Sequence, residues 1–533
     1  MTTKKTLIFL TSLLASSTLL AQDIYKMEAF TNNDLNGTAR FVGMGGAMNA
    51  LGADISVINT NPAGIGMFRR SEVSLSAGFN VQPNGQEFYD INKARPSFDQ
   101  AGFVYSHYLG SSGARYLNFA FNYHKSRNFK NYIGVNGFNT GGLSQSLQMM
   151  DLCYVNNRWL DLTNENDADL TTNLAYAGFQ TQMIAPTYNA AGELTGYDPS
   201  VADYYNYKRV QWGGIQNYDF NISTNWNDQI YLGLNLGVKN FNFHSYTDYA
   251  EFLPDNNGVH HEYYTTNEEG ISGSGVDFQL GVIARPTEGS PLRIALSFST
   301  PTFYNLRTNS YLYMNSPYAL YDDNGNQISD YTEYDIPTAG YEYNITTPWR
   351  VNVGLGLTVD KFLAMDAEYE YSNYGSCKVS YGGYDEWGNA TLFNHDKDVS
   401  LNQEAKHFMK GVHTFRFGAE ARFTKNIYAR FGYNTQSAPM KKDAYLNLFT
   451  NSPSYYYSNN TDYVNLGRLD RYTCGLGYRG RHFYIDAAYQ VQKQQGDLYT
   501  FHVPENGSEA NSLAGAKVDL NRHSGLITLG YKF

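Results

Sequence analysis

The strongest constraint on this 533-residue chain is an alternation of apolar and polar residues that begins near Ser71 and continues to the C-terminus. In the first run, Val73, Leu75, Ala77 and Phe79 alternate with small or polar residues. A period of two is typical of β-strands with one apolar face. The runs are about as long as the roughly 9–11 residues that a tilted strand needs to cross a bilayer. We therefore predict an all-β fold, a transmembrane antiparallel β-barrel of about fourteen strands, an even number as such barrels have.

The connections between these runs alternate between short turns and long polar loops. Short turns at one end and long loops at the other are typical of bacterial outer-membrane barrels. A soluble β-sandwich does not show this alternation of connection lengths. The largest loop is predicted at residues 125–208, and apolar residues at helical spacing in 143–150 and 170–177 predict two helices there. These helices could catch a hydrophobic ligand or merely cap the barrel. The short turns are predicted at residues 110–114, 227–228, 286–290, 360–361, 424–426 and 480–481.

The amino-acid composition of the chain excludes some classes of protein and favours others. Charged residues make up 17% of the chain and the net charge is −11, so nucleic acid is not an expected partner, because phosphate binding needs clustered Lys and Arg. The 47 tyrosines suit a surface that is partly apolar and partly wet, such as a membrane interface. A mean hydropathy of −0.47 excludes a bundle of membrane helices but agrees with a barrel whose lumen and loops are polar.

Both ends of the chain carry targeting signals. Lys4 and Lys5 precede an apolar run that is too short for a membrane helix, which predicts a signal peptide at residues 1–21. The last strand ends on Phe533, and a terminal aromatic residue resembles the signal read by the barrel-assembly machinery. We therefore expect the protein in the bacterial cell outer membrane, in contact with its lipid and with that machinery.

Residues 22–70 form a different kind of segment. Between residues 37 and 70, glycine and alanine are so frequent that little side-chain volume is left to build a core. Such a segment packs well only if something encloses it, and the strands that follow can form that enclosure. We predict that residues 22–70 are a hatch, or plug, in the lumen of a barrel formed by residues 71–533.

The residues that carry a family resemblance lie in three places along the chain. The resemblance is to the FadL family of outer-membrane transporters, also called the OmpP1/TodX family. It implies a plugged barrel for passive uptake of hydrophobic molecules, with long-chain fatty acids and aromatic hydrocarbons as family substrates. It also implies capture by external loops, a lumenal pocket, hatch movement and a lateral exit near an inward kink in the third strand, here about residues 115–129. The matching stretches are GMGGA at 43–47 with NPAG at 61–64, FRFGAEAR at 415–422 with YARFGY at 428–433 and SAP at 437–439, and CGLGY at 474–478 with YIDAAY at 484–489.

Candidate site residues follow from strand alternation and from this resemblance. If the apolar sets of the strands face lipid, the intervening charges face the lumen, where they form an ion-pair network, bind a ligand carboxylate through Arg350 or Arg416, or do both. In the hatch, residues 61–64 are predicted to fix a turn, and Met67 and Phe68 to touch ligand; a static plug is the alternative. The predicted lumenal charges are Arg293, Arg350, Asp366, Glu368, Glu370, Arg416, Glu420, Arg422 and Arg430. The predicted hatch residues are Gly45, Gly46, Asn61, Pro62, Ala63, Gly64, Met67 and Phe68.

Other chemistries find no support in the sequence. His260-His261-Glu262 offers metal-type ligands, but adjacent residues cannot easily converge on one ion, so we expect no metal site and no cofactor. No Gly-x-Ser-x-Gly elbow is present, and we expect no enzyme. Three cysteines form no disulfide framework, although one pair could be bridged. We expect a monomer that binds a hydrophobic small molecule; the alternative function is a structural or adhesive barrel with surface-binding loops.

Overall fold

The computed structural model describes residues 23–85, 94–110, 113–139, 142–321, 327–360, 362–384, 390–448, 452, 455, 458–505 and 511–533. The predicted signal peptide lies outside these residues. The α-helices are α1 Ile24–Thr31, α2 Ala39–Gly43, α3 Gln145–Asp151, α4 Glu165–Ala168, α5 Asn173–Gln180 and α6 Val399–Phe408, and the 3₁₀ helices are Ile55–Asn59, Pro62–Met67 and Tyr374–Ser376.

The strands, in chain order, are β1 Glu72–Val81, β2 Ala94–Tyr108, β3 Ala114–Asn128, β4 Asn131–Phe138, β5 Tyr154–Val155, β6 Arg158–Trp159, β7 Ile184–Tyr188, β8 Leu194–Pro199, β9 Tyr204–Trp226, β10 Ile230–Pro254, β11 His260–Ala284, β12 Leu292–Ser299, β13 Phe303–Ser316, β14 Leu320–Tyr321, β15 Gln327–Ser329, β16 Thr332–Thr346, β17 Arg350–Val359, β18 Leu363–Asn373, β19 Lys378–Tyr384, β20 Ala390–Lys397, β21 Gly411–Arg422, β22 Ile427–Gln436, β23 Tyr463–Arg479, β24 Phe483–Tyr499, β25 Ala516–Asp519 and β26 Arg522–Lys532.

The wall of the protein is an antiparallel sheet that closes on itself. Fourteen strands pair in a ring in the order β1, β2, β3, β9, β10, β11, β12, β17, β18, β21, β22, β23, β24 and β26. Pairing of β26 with β1, from Lys532 opposite Glu72 to His523 opposite Val81, completes the ring. The predicted fourteen-stranded barrel is confirmed. Six further strands of the same sheet extend the wall at the end where the long loops lie. They are β4, β13, β16, β19, β20 and β25.

Alternation along each ring strand separates an apolar outer face from a polar inner face. On β11, Leu280 is 56% exposed, while its neighbour Gln279 is 6% exposed. On β12, Leu296 is 49% exposed, while Ser297 is 3% exposed. A continuous apolar surface of this kind is stable in a bilayer core rather than in water, which makes this a transmembrane β-barrel.

One end of the barrel has tight turns and the other has structured loops. Asn227 and Asp228 both adopt positive φ, 52° and 55°, in the short connection between β9 and β10. At the loop end, α3 and α5 occur where apolar spacing predicted helices. The loop predicted at residues 125–208 is shorter than that, because β3 continues to Asn128, β4 pairs with β9, and β9 begins at Tyr204. None of the helices in the described ranges has the length and apolar character needed to span a membrane.

Residues 23–70, here called the N-terminal segment, run through the interior of the ring. Near the loop end, Lys26 Nζ lies 2.6 Å from Glu269 of β11. At the other end, Arg69 lies 2.9 Å from Asp228 in the β9–β10 turn. Between these points the segment contacts ring strands on several sides of the lumen. Its role as a hatch stays a prediction.

An arginine at position 280 should destabilise the barrel in lipid. Leu280→Arg places a charge on the outer face of β11, where an arginine costs about 2–4 kcal/mol near the bilayer midplane. Val259→Arg, in the exposed β10–β11 loop, is the matched control and should change the free energy of unfolding little. Urea unfolding of protein folded into lipid vesicles measures both. Equal effects of the two substitutions would contradict the assignment of the outer face.

Candidate functional site in the barrel lumen

Two carboxylates on β18 hold the N-terminal segment by its backbone. Glu368 Oε1 accepts hydrogen bonds from the backbone N–H groups of Met48 and Asn49, both at 2.6 Å. Asp366 Oδ2 accepts two more, from Ala50 and Leu51, both at 2.9 Å. Charged acceptors make the stronger class of hydrogen bond, and both carboxylates are buried. We call Asp366 and Glu368 the carboxylate clamp.

A chain of ion pairs fixes an earlier part of the segment to the neighbouring strands β21 to β24. Arg40 of α2 donates from Nε and Nη2 to the two oxygens of Glu420, at 3.0 and 2.9 Å. Glu420 also accepts from Arg430 at 2.6 Å, and Arg430 donates to Asp486 at 2.7 Å. Arg479 pairs with the second oxygen of Asp486 at 2.9 Å. Arg430, a predicted lumenal residue, is therefore an anchor within this chain of pairs.

Glycines let the segment and the wall approach at backbone distance. Gly45 has φ +67°, and a Cβ there would lie 2.9 Å from the backbone nitrogen of Tyr433. A Cβ on Gly281 of β11 would lie 1.9 Å from Oδ1 of Asn61. Both contacts are too close for any larger residue. The small side chains of the segment thus serve close packing against an enclosing wall.

The Asn61–Gly64 turn is fixed from both sides. The Asn61 side chain accepts from the backbone N–H of Ala63 at 3.0 Å and donates to Asn49 at 2.7 Å. Pro62 is the first residue of its 3₁₀ helix, and its carbonyl accepts from Ser223 Oγ of β9 at 2.9 Å. These bonds join the turn to the rest of the segment and to the wall.

The other predicted hatch residues form backbone, sulfur and apolar contacts. Gly46 has φ +78° in the turn after α2, and the carbonyl of Gly64 accepts from Ala53 at 3.1 Å. Met67 Sδ lies 3.5 Å from Arg293 Nη1. Phe68 is buried in a cluster with residues of the segment and of β2 and β3. The role of Met67 and Phe68 as ligand contacts stays a prediction.

The remaining predicted arginines differ in how far they are already paired. Arg293 Nη1 donates to the carbonyl of Leu51 at 2.8 Å. Arg416 lies 3.1 Å from Glu370 and 3.4 Å from Glu368. Arg350 lines a lumenal cavity of about 70 Å³, and its side chain forms no hydrogen bond or ion pair with the described residues. Of these three arginines, Arg350 is the one whose guanidinium has no hydrogen-bond or ion-pair partner among the described residues.

Arg422, by contrast, lies at the turn end. Its Nε and Nη2 donate to the carbonyls of Thr424 and Lys425, at 3.1 and 2.7 Å, in the connection between β21 and β22. Its position beside a tight turn makes it a turn-stabilising residue.

Closer to the loops the lumen changes character and becomes apolar. Side chains from many strands and from α6 form a buried apolar cluster that we call the chamber. Helix α1 lies in it, with Ile24, Met27 and Phe30 at most 2% exposed. The Phe30 ring lies 4.6 Å from that of Phe241, centroid to centroid. Other residues of the chamber wall include Phe129, Ile215, Phe243, Ile271, Tyr304, Leu306, Tyr343, Ile345, Tyr374, Val379, Leu401, Phe408 and Met440.

Asp34 follows α1 and lies among three arginines of the wall. Its carboxylate is 3.0 Å from Arg127, 3.8 Å from Arg471 and 3.8 Å from Arg522. It also accepts the backbone N–H of Asn128 at 2.8 Å. Burial alone raises the pKa of Asp34, but the three guanidiniums outweigh burial, and the net pKa lies below its usual range. We call Arg127, Arg471 and Arg522 the arginine triad.

The ladder between β2 and β3 ends early, beside this triad. Gln100 opposite His124 is its last pair, although β2 continues along β1 to Ala94 and β3 continues along β9 to Asn128. The N-terminal segment supplies replacement bonds at this gap: Asp34 N donates to the Ser126 carbonyl at 2.8 Å. Asn36 Nδ2 donates to the Lys125 carbonyl at 3.1 Å and to Asp99 at 3.0 Å. The gap is thus closed by the segment rather than by a neighbouring strand.

Several of these residues were missed by sequence reasoning. The spacing of Ile24, Met27 and Phe30, each three apart, is a helical signal that could have predicted an apolar face on α1. Asp34 and the arginine triad carry no local signal, because they come together only when β3, β23 and β26 meet around the segment.

Solved structures similar to this chain include three from bacteria. They are the Ralstonia pickettii toluene transporter TbuX (13% identity, 94% of this chain and 99% of that chain, TM-score 0.44), the P. putida toluene transporter TodX (11%, 94% and 99%, TM-score 0.46) and a Pseudomonas aeruginosa FadL homologue (10%, 94% and 99%, TM-score 0.47). No protein-family model matches the sequence, and a search of curated proteins gives no match.

Removing the carboxylate clamp should release the middle of the segment. In the double variant Asp366→Ala/Glu368→Ala, four buried N–H groups lose their acceptors, at a cost of about 1–3 kcal/mol for each unsatisfied group. Hydrogen exchange of residues 48–51 should accelerate at least about tenfold. Glu288→Ala, in an exposed turn, is the control and should leave exchange unchanged. Slow exchange at residues 48–51 in the double variant would show that the clamp does not hold the segment.

Proposed function

We propose that this protein is a member of the FadL family and a bacterial outer-membrane channel for passive uptake of hydrophobic molecules, such as a long-chain fatty acid. A ligand captured by the external loops enters the chamber, and the N-terminal segment acts as a hatch that moves to release it. The observation that carries this proposal is the chamber itself. Barrel lumens are usually polar, and a lumen that serves water-soluble solutes has no use for a large buried apolar cluster.

The physical chemistry of a hydrophobic ligand suits this chamber. Burial of apolar surface is favourable by about 25 cal/mol per Å², so a chain with many methylene groups gains binding energy from walls such as Phe241 and Tyr343. A cavity of about 140 Å³ lies beside α1, lined by Phe30 and Phe243 and by charged residues that include Arg209 and Glu269. Movement of α1 would enlarge this space to the size of an extended apolar molecule.

The gap between β2 and β3 offers the proposed way out. Because an apolar ligand is poorly soluble in water, leaving sideways into the bilayer avoids transferring it through the periplasm. Residues 94–99 and 125–128 lack a shared ladder, so an opening here breaks contacts of Asp34 and Asn36 but no strand pairing. The inward turn of Phe129 into the chamber agrees with the kink that the family resemblance implies for the third strand.

Arg350 is the proposed partner of a ligand carboxylate. Its guanidinium has free donors and lines the cavity between the segment and the wall. Arg416, the other residue predicted for this role, is already paired with Glu368 and Glu370, so it orders the surrounding charges instead. A planar fork of donors suits a carboxylate, which can accept two bonds from it.

Uptake assays test this function. Expression in a bacterial strain without its own fatty-acid channel should raise uptake of radiolabelled oleate several-fold. Arg350→Gln should lower oleate uptake about ten- to hundredfold, as expected for loss of a charged hydrogen bond worth about 1.5–3 kcal/mol, and should spare uptake of toluene, which has no carboxylate. Arg307→Gln, at an exposed position of β13, is the control.

Two other results of the uptake assays would change this account. If the protein reaches the cell surface in full amount but neither oleate nor toluene enters faster, the channel proposal fails. A structural or adhesive barrel is then the better account. If oleate uptake rises but Arg350→Gln has no effect, the channel stands and the carboxylate site lies elsewhere.

A further inference from the structure

The outer face of the barrel carries an apolar recess close to the turn end. The recess has a volume of about 560 Å³ and extends across β3, β9, β10, β11 and β12. Every described residue that lines it is apolar, or small and uncharged. Because a closed barrel is convex on its outer side, a recess there needs a local cause. The larger side chains around it include Ile222, Leu232, Leu234, Leu280, Leu296 and Phe298.

Two glycines that lie opposite each other on β10 and β11 provide that cause. Gly233 is paired with Gly281, and both lie on the lumenal side of the wall. A Cβ on Gly233 would lie 2.4 Å from the backbone nitrogen of Ala63, and a Cβ on Gly281 would lie 1.9 Å from Asn61 Oδ1. The wall therefore contacts the N-terminal segment with no wall side chain between them, which draws β10 and β11 toward the barrel axis. A wall drawn inward at one place leaves a hollow on its outer side.

The recess lies within the leaflet next to the turns. Leu234 is six residues from Asp228 in the β9–β10 turn. With a rise of about 3.3 Å per residue and a strand tilt of about 40°, that separation is about 15 Å along the membrane normal, half of a hydrocarbon core of about 30 Å. Trp226, at the turn end of β9, is 52% exposed, and tryptophan is enriched where hydrocarbon meets headgroups. The recess therefore opens toward acyl chains, and the turn lies at headgroup level.

Arginines surround the β9–β10 turn beside this recess. Arg115 precedes the β3 part of the recess, and its Nη1 lies 2.7 Å from the carboxylate of Asp228. Arg69 Nη2 lies 2.9 Å from the other oxygen of the same carboxylate. Arg285 follows β11, and its backbone N–H donates to the Gln229 carbonyl at 2.8 Å. The Nε atom of Arg285 is buried and has no hydrogen-bond partner among the described residues.

The charges around this turn are predominantly positive. Four arginines lie here with two acids, a formal charge of +2, although the whole chain carries −11. One of the acids, Asp228, is already shared by two of the arginines. The group therefore favours an anion. The acids are Asp228 and Glu288, and the arginines, which we call the turn arginines, are Arg69, Arg70, Arg115 and Arg285.

The shape and the charge of this surface favour a lipid over a second copy of the chain. Two identical chains related by a twofold axis would bring recess against recess and arginine against arginine. A flexible acyl chain, in contrast, fills a hollow that would otherwise lose van der Waals contacts, and the surrounding bilayer supplies such chains. A guanidinium binds phosphate through two parallel N–H···O bonds. The recess and the turn arginines thus match the two ends of one anionic phospholipid.

We propose that the recess and the turn arginines form a binding site for one anionic phospholipid of the leaflet next to the turns. An acyl chain lies in the recess against Leu234 and Leu296, and the phosphate lies between Arg115 and Arg285. The bound lipid supports the wall from outside at the place where two glycines contact the Asn61–Gly64 turn. The site needs only the transmembrane barrel, so its test is independent of the uptake function.

Native mass spectrometry of the protein purified in mild detergent tests the site. The protein is incubated with equal amounts of dioleoylphosphatidylglycerol, which is anionic, and dioleoylphosphatidylcholine, which is zwitterionic. The wild type should retain one molecule of the anionic lipid at least five times more often than the zwitterionic one. Arg115→Gln/Arg285→Gln should remove this preference. Lys425→Gln/Arg481→Gln, with the same change of charge in two exposed turns elsewhere, is the matched control and should retain the anionic lipid as the wild type does.

A second variant tests the recess without altering charge. Leu234→Trp fills the recess and should lower retention of the anionic lipid at least fivefold, whereas Leu476→Trp, on the outer face of β23, should not. The comparison of the two lipids on the wild type requires no variant to fold. Equal retention of the two lipids by the wild type would overturn the site, as would unchanged retention in both Arg115→Gln/Arg285→Gln and Leu234→Trp. A dimer that Leu234→Trp converts to a monomer would also overturn it, because a second chain would then cover the recess.

Discussion

The structure depends on one constraint: polar groups enclosed by a closed apolar wall must find their partners inside it. The lumen places carboxylates and guanidiniums on the inner faces of the strands, and unpaired charges there would be costly. The N-terminal segment provides the partners. Asp366 and Glu368 bind its backbone, and Glu420 binds its Arg40. Wall and segment are therefore incomplete without each other, which is why a segment with so few large side chains is ordered at all.

The same constraint divides the lumen into two parts. Near the turns, the segment is fixed by charged hydrogen bonds and by close contacts at glycines. Any movement there would break several of these contacts at once. Near the loops, α1 is held mainly by apolar contacts and by the Lys26–Glu269 ion pair, and Asp34 just beyond it pairs with arginines of the wall. Apolar contacts are not directional, so another apolar body can replace them. A lower part held by directional bonds and an upper part held by apolar contacts suit the uptake channel proposed above.

The sequence predicts the barrel well and the site only in part. Alternation is a local property, so the fourteen strands, the short turns and the inward charges could be read from neighbouring residues. Arg293, Arg416 and Arg430 pair with Leu51, Glu370 and Asp486, and the sequence could not show these partners because the pairings join parts of the chain that are far apart in sequence. The arginine triad around Asp34 was not predicted for the same reason. The third strand was predicted to reach about residue 129, but the kink could not be placed within it, since its position depends on which strand pairs with β3 at that height.

The most direct measurement is a structure of the protein with a bound long-chain fatty acid, obtained after gentle extraction and saturation with the ligand. The account predicts that the acyl chain lies against Phe241, Phe243 and Tyr343, in the space that α1 fills here, while residues 39–70 keep their contacts with Asp366 and Glu368. A fatty acid bound elsewhere, with α1 still in the chamber, would contradict it.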